Sequence, residues 1–410
     1  MENTIMVSAD SIRAAYPGVR AQVHHTPLFV NRSLTERCHL EPNALHLKME
    51  NFQRTGSFKI RGALHRLSLL TETEKAAGVV AASAGNHAQG VALAAQIVGV
   101  KSIVFMPEFA SIAKIQATRR YGAEVILEGR NFDEAVGAAK AQAAKTGAVY
   151  VSAYDDDGII TGQGTLGVEI LEDCPDLDTI LICVGGGGLF SGVATVIRAA
   201  RPNAKIIGVQ ASGAPSAVES WKAGKLLPRG EVNTIADGIA IKAPSPRTFR
   251  YIQQYADDMV TVEDSDIARA MLLMLERAKV VVEPSGAVCI AALLAGKVKP
   301  QGKTVLTISG GNVDTRFLAE LVEREMIRAE RFMHFFTACP DRPGGLAALL
   351  EVIAELKGNI QSVVHNRISP RIPLGQTGVE ILLEVRDAAH IALVREGLTQ
   401  RGYPVRMLEE

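Results

Sequence analysis

The chain reads as an α/β protein built on parallel sheets, with a smaller βαββαβ module at its C-terminal end. Three observations predict this. From about residue 45 to residue 325, short β-branched or apolar runs alternate with amphipathic stretches of 10 to 15 residues, the rhythm of βαβ units with helices on both sheet faces. Two glycine-rich turns, GGGGL after TILICV and SGGN after KTVLTIS, fall at the ends of such runs, where parallel sheets bind ligands. After residue 325 the order changes to strand, helix, strand, strand, helix, strand within about 80 residues, the size of a ferredoxin-like module.

Taken in order, the predicted strands are GVVAAS (78–83), SIVFM (102–106), AEVIL (123–127), AVYVS (148–152), TILICV (179–184), KIIGVQ (205–210) and KTVLTIS (303–309). Helical segments between them include HAQGVALAAQIVG, ASIAKIQATRRYG and DIARAMLLMLERA, whose apolar residues recur at helical spacing. EREMIRAER is a charged helical connector. The terminal module follows as RFMHFFTA, GGLAALLEVIAELKG, IQSVVHNRI, GVEILLEVR, DAAHIALVREGLTQRG and YPVRML. No low-complexity segment and no fixed-period repeat is present.

Composition narrows the function classes. A length of 410 residues predicts two or three domains, and 47% apolar with 21% charged residues is a globular balance, not a disordered one. Lysine plus arginine equals aspartate plus glutamate at 44 each, so charge gives no reason to expect nucleic acid or an anionic membrane. A small-molecule partner is expected. Cys38, Cys174, Cys183, Cys289 and Cys339 are odd in number and at least nine residues apart, which reads as free buried thiols in a reducing compartment. MENTIMVSAD lacks the pattern of a secretory leader, so a cytoplasmic location is expected. Thr179 to Ile197 carries no charge over 19 residues, but four glycines interrupt it and their backbone would need satisfying in lipid.

Several residues could carry chemistry. Lys59 lies one turn into a helix that Ser57 could cap; alone it reads as a solvated lysine. Ser83, Ala84, Gly85, Asn86 and His87 follow a strand and open a helix, so their N–H groups could hold a carboxylate; the bland reading is an ordinary turn capped by Asn86. Gly185, Gly186, Gly187 and Gly188 place bare backbone between a buried strand and a helix, where N–H groups and the helix dipole converge on a phosphate. A dinucleotide is the weaker alternative, because Phe190 stands where a third glycine belongs and the next strand ends in Gln210, not a carboxylate. No HExxH, clustered Cys/His set, P-loop lysine or nucleophile elbow is apparent, so no metal site is expected.

Together SFKIRGA (57–63), SAGNHAQG (83–90), GGGGL (185–189), VEPSGA (282–287) and SGGN (309–312) closely resemble the fold-type II, or tryptophan-synthase-β, family of pyridoxal-phosphate enzymes, and within it the threonine dehydratases (threonine ammonia-lyases). The resemblance covers about residues 10 to 325. It implies two parallel-sheet subdomains within a catalytic domain of residues 1–325, the smaller, about 50–150, inserted in the larger. It also implies roles: Lys59 as the Schiff-base lysine and base, Phe58 beside the ring, Asn86 on the ring hydroxyl oxygen, and Gly185 to Gly188 with Leu189 on the phosphate. Ser83 to His87 would hold the substrate carboxylate, and Ser309 would face the pyridine nitrogen. Serine racemases carry a second serine where this chain has Ala84, which disfavours reprotonation from the far face.

Residues 326–410 resemble an ACT domain, an amino-acid-sensing module, with Asp341, Arg342, Gly344, Gly345 and Leu346 as effector-binding candidates and isoleucine, opposed by valine, as the implied effector. A ligand-free dimerisation module is the alternative. Implied overall are threonine conversion to 2-oxobutanoate and ammonia, serine conversion to pyruvate, and a homodimer or homotetramer. Serine racemase or dehydratase activity, a β-replacement synthase and a non-catalytic sensor on the same scaffold stay open.

Overall fold

Parallel sheets form where buried strands are apolar on both faces, as in Val79–Ala82 and Thr304–Ile308, every residue of which is buried. The computed structural model describes residues 7–367 and 372–408. Its strands are β1 (Leu28–Val30), β2 (Leu45–Met49), β3 (Val79–Ala82), β4 (Ser102–Met106), β5 (Glu124–Leu127), β6 (Val149–Tyr150), β7 (Thr179–Cys183), β8 (Lys205–Ala211), β9 (Asp258–Val262), β10 (Thr304–Ile308), β11 (Phe332–Pro340), β12 (Asn359–Asn366), β13 (Gln376–Glu384) and β14 (Arg406–Met407). A six-stranded sheet takes the order β1-β2-β10-β7-β8-β9 and is parallel except for the β1–β2 pair. A four-stranded parallel sheet, β5-β4-β3-β6, is inserted between the second and third strands that the chain contributes to the larger one.

Two compact units result, Met1–Asp314 and Thr315–Glu410. The second begins at the head of the helix Thr315–Arg328, which a boundary at 325/326 would cut. It carries an antiparallel sheet of order β12-β13-β11-β14 with helices Gly345–Glu355 and Ala388–Gln400, the ferredoxin-like arrangement. Met333, Phe335, Leu349, Ile381 and Val394 are fully buried in its core. Residues 1–6 of the N-terminal stretch, and Ile368 at the end of the predicted strand IQSVVHNRI, lie outside the described residues. All five cysteines are free, and all but Cys38 are buried.

The helix Lys59–Ser68 decides where the site lies. Gly90 of the helix Asn86–Val98 presses on it so closely that a Cβ there would stand 3.1 Å from the Lys59 carbonyl carbon. Beneath, Arg61 is fully buried and forks onto two carboxylates, with Nη2 2.7 Å from Glu50 Oε1 and Nη1 3.0 Å from Glu169 Oε2. Lys48, also fully buried, bonds Glu169 at 2.9 Å and Asp173 at 2.7 Å. Buried charge is tolerated only when paired in this way.

Candidate active site

The first unit encloses a cavity of about 420 Å3 at the carboxyl ends of β3, β7 and β10, the position that parallel topology favours. Phe58, Lys59, Ser83 to His87, Gly185 to Gly188, Leu189 and Ser309 all line it, so residues 250 positions apart in sequence meet in one place. The candidates Asp341, Arg342, Gly344, Gly345 and Leu346 belong to the other unit.

Lys59 is the first residue of its helix, and its Nζ donates to the Ala153 carbonyl at 3.1 Å and lies 5.2 Å from the Phe58 ring centroid. Its remaining surface opens on the cavity. Enclosure by protein strips water from the ammonium and lowers its pKa to about 8, although Cys183 and Glu283 pull the other way. Ser57 does not cap this helix. The N-cap is Phe58, while Ser57 bridges Gly310 and its hydroxyl is buried without a partner. Tertiary pairing with the β10 turn outweighs the local cap.

The glycine turn is bare because its neighbours leave no room. A Cβ on Gly186 would sit 2.3 Å from the Tyr154 ring, and Gly187 adopts φ +90°, open to glycine at little cost. Gly187 caps the helix Gly188–Ala200, whose first N–H groups have no intrahelical acceptor. Gln210, where a dinucleotide site would want a carboxylate, is buried and accepts the Ala217 and Val218 N–H groups at 2.9 Å each.

At the opposite wall, Gly85 is the N-cap of Asn86–Val98, so Asn86 is the first helical residue and not the cap. Its side chain instead donates to Glu283 Oε1 at 2.7 Å and accepts from Asn312 Nδ2 at 2.7 Å. The His87 ring is buried against the Val151 carbonyl, 3.0 Å away, and burial lowers its pKa to about 3, which keeps it neutral. What His87 can offer an anion is therefore its backbone N–H, not its ring. Ser309 is buried, donates to the Ser285 carbonyl at 3.3 Å, and abuts Cys183, whose thiol burial pushes up to about 11.

Composition and spacing did not single out Glu283, Asn312, Cys183 or Tyr154. Two carried a signal all the same: Glu283 sits inside VEPSGA and Asn312 closes SGGN, each beside a residue of the cavity. Among the described residues no group of three or more His, Cys, Asp or Glu side chains is placed to hold a metal ion, and no helix is long and apolar enough to cross a membrane.

The residues fit pyridoxal phosphate. A lysine amine shifted towards neutrality suits its aldehyde, a glycine turn lining the cavity with no side chain over its N–H groups suits its phosphate, and the Ser309 hydroxyl and the Ser285 hydroxyl, the latter buried without a partner, give the same wall a neutral polar surface.

Known proteins agree. A sequence model of the family described as pyridoxal-phosphate dependent enzyme matches residues 19–310. The L-threonine ammonia-lyase of Thermotoga maritima is 44% identical over 404 residues, covering 98% of this chain and 100% of its own. The T.th. threonine deaminase superposes with TM-score 0.71 at 37% identity, over 75% of this chain and 99% of that one. Maize serine racemase superposes with TM-score 0.73 at 34% identity, over 78% and 98%. The Thermotoga likeness continues through the C-terminal unit.

Proposed function

The chain belongs to the pyridoxal-phosphate dependent enzymes, and from that premise we propose that it converts L-threonine to 2-oxobutanoate and ammonia, with L-serine giving pyruvate as a secondary activity. The observation that carries this is the convergence of Lys59, the glycine turn and Ser309 on one cavity. Bound to Lys59, pyridoxal phosphate supplies a sink for negative charge at the substrate Cα. The N–H groups of the glycine turn would hold its phosphate and Phe58 would pack beside the ring; in the Ser83 to His87 turn, where the Ser83 N–H donates to the Phe105 carbonyl and the Gly85 N–H to the Ser83 hydroxyl, those of Ala84, Asn86 and His87 would hold the substrate carboxylate. The Lys59 amine would remove the Cα proton, and the β-hydroxyl would take up one proton and leave as water, so that the elements of water are lost overall. Hydrolysis of the released enamine, after tautomerisation, takes up one water and gives the 2-oxo acid and ammonia. Ser309 would face the pyridine nitrogen with a neutral hydroxyl, which, unlike a carboxylate, would not hold it protonated and would favour prompt β-elimination over transamination. A coupled 2-oxo acid assay on threonine and serine tests the reading; no product from either sinks it.

The likeness to serine racemase raises a second activity, and Ala84 decides between them. It lines the cavity without a hydroxyl, so it brings no proton-transfer group to the place where serine racemases carry their second serine. Ala84→Ser is expected to produce D-serine from L-serine, measured by chiral chromatography, where the parent chain produces little.

The C-terminal unit supports an amino-acid sensor of the ACT type. In its first turn the N–H groups of Asp341, Arg342 and Gly345 are used internally, at 3.0, 2.9 and 2.9 Å, which leaves those of Gly344 and Leu346 as the candidates' remaining donors. Isoleucine is expected to lower threonine turnover and raise the thermal midpoint, with valine opposing it; no change in either measurement removes the proposal. A cytoplasmic, symmetric homo-oligomer completes this reading.

A further inference from the structure

Glu283 of VEPSGA and Asn312 of SGGN carry no role in the chemistry proposed above, yet both line the cavity and grip the same side chain. Asn312 Nδ2 donates to the Thr55 carbonyl at 2.7 Å and to Asn86 Oδ1 at 2.7 Å. Asn86 Nδ2 in turn donates to Glu283 Oε1 at 2.7 Å. The order of donors is forced. A carbonyl can only accept, so Asn312 must turn its amino group to Thr55 and Asn86, and Asn86 must answer with its oxygen. With its oxygen committed to Asn312, Asn86 can meet Glu283 only with its amino group.

Both ends are anchored. The Glu283 N–H donates to the Gly310 carbonyl at 3.1 Å, and a Cβ on Gly310 would lie 2.3 Å from Glu283 Oε1, so the carboxyl is pressed against bare backbone. Asn312 Oδ1 is likewise set over Gly56, where a Cβ would lie 2.4 Å away.

We infer that Glu283 and Asn312 are positioning residues, which clamp the Asn86 amide from two sides in the one orientation that leaves its second N–H for the cavity. The inference rests on the proposed pyridoxal-phosphate reading, in which that N–H meets the ring hydroxyl oxygen. Glu283 therefore acts through geometry at its accepting oxygen, and a neutral acceptor of the same length replaces it. Other charged groups that act on Glu283 are Lys59, Lys114 and Asp237.

The test uses holoenzyme carrying Asn312→Asp, Glu283→Ala or Glu283→Gln. Asn312→Asp is close to isosteric but cannot donate to Asn86, and Glu283→Ala removes the acceptor. Each is expected to shift the visible absorbance of the bound cofactor and to weaken pyridoxal-phosphate retention in equilibrium dialysis by about tenfold, the effect of one hydrogen bond. Glu283→Gln keeps the acceptor and is expected to restore both readouts to within about twofold of the parent. Unchanged spectra and retention in Asn312→Asp overturn the clamp, and a Glu283→Gln variant as impaired as Glu283→Ala overturns the geometric role in favour of charge. Failure of the parent chain itself to retain the cofactor would instead defeat the functional reading on which the inference rests.

Discussion

Replacing Lys59 by alanine is expected to leave a folded chain that neither develops the visible absorbance of bound pyridoxal phosphate nor converts threonine, with turnover falling by at least about a thousandfold. In the proposed reaction the side chain has two duties, to offer a neutral amine to the cofactor aldehyde and afterwards to act as base at Cα. With its pKa lowered to about 8, roughly a quarter of the amine is neutral at pH 7.5, against about one part in a thousand for a lysine at 10.5. Cofactor uptake by the apoprotein should accordingly speed up as pH rises through 8 and level off above it, which stopped-flow absorbance would show. Folding is not the weak point of the variant. Alanine favours the first turn of the helix Lys59–Ser68, and losing an ammonium short of water removes a cost, so the thermal midpoint of the apoprotein should hold or rise. Turnover above about one per cent of the parent would mean that another group serves as base.

What the sequence shows by itself follows from the physics of each signal: Lys59 alone reads as a solvated lysine and gains a role only through the motifs it resembles, and Glu283 gains none. Strand and helix identity depended on periodicity over whole segments, and the buried runs TILICV and KTVLTIS became β7 and β10 with ends within a residue or two of those predicted. The glycine turn was legible because four residues without side chains between a strand and a helix have few other uses, and the Tyr154 ring against Gly186 shows why they must be bare. Local capping rules fared worse. Ser57 and Asn86 both read as caps, but the Ser57 backbone bridges Gly310 while its hydroxyl has no partner, and the Asn86 side chain is held by Glu283 and Asn312. Such pairings belong to sheet order, which brings the β2, β7 and β10 ends side by side, and no local pattern writes that order down.

The same limit hid the charge cluster below the site, which leads to the second large effect. Arg61→Met is expected to cost about 3–5 kcal/mol of stability, because it leaves Glu50 and Glu169 buried with their main cation gone. Lys48 still reaches Glu169 at 2.9 Å, and Thr26 still donates to Glu50 at 2.6 Å, so the loss belongs at the lower part of that range. In a thermal melt this is a fall of roughly 5–10 °C. A second change, Glu50→Gln, should recover part of it in the Arg61→Met background while being harmful alone, a coupling that an additive pair would refute. The pH dependence has a definite sign. Arg61 leads the forces that hold the Glu169 pKa below 4.5 against burial, so the stability it gives is complete above 4.5 and fades as pH falls through the native value. Without Arg61 that carboxyl, once depressed, is raised, and the variant gains relative stability on acidification; the gap in melting temperature between parent and variant should therefore narrow below pH 4.5 and be widest near neutrality. Because Arg61 sits half a turn from Lys59 on the same helix, the variant should also lose turnover at temperatures where it remains folded, which separates a misplaced amine from a lost fold.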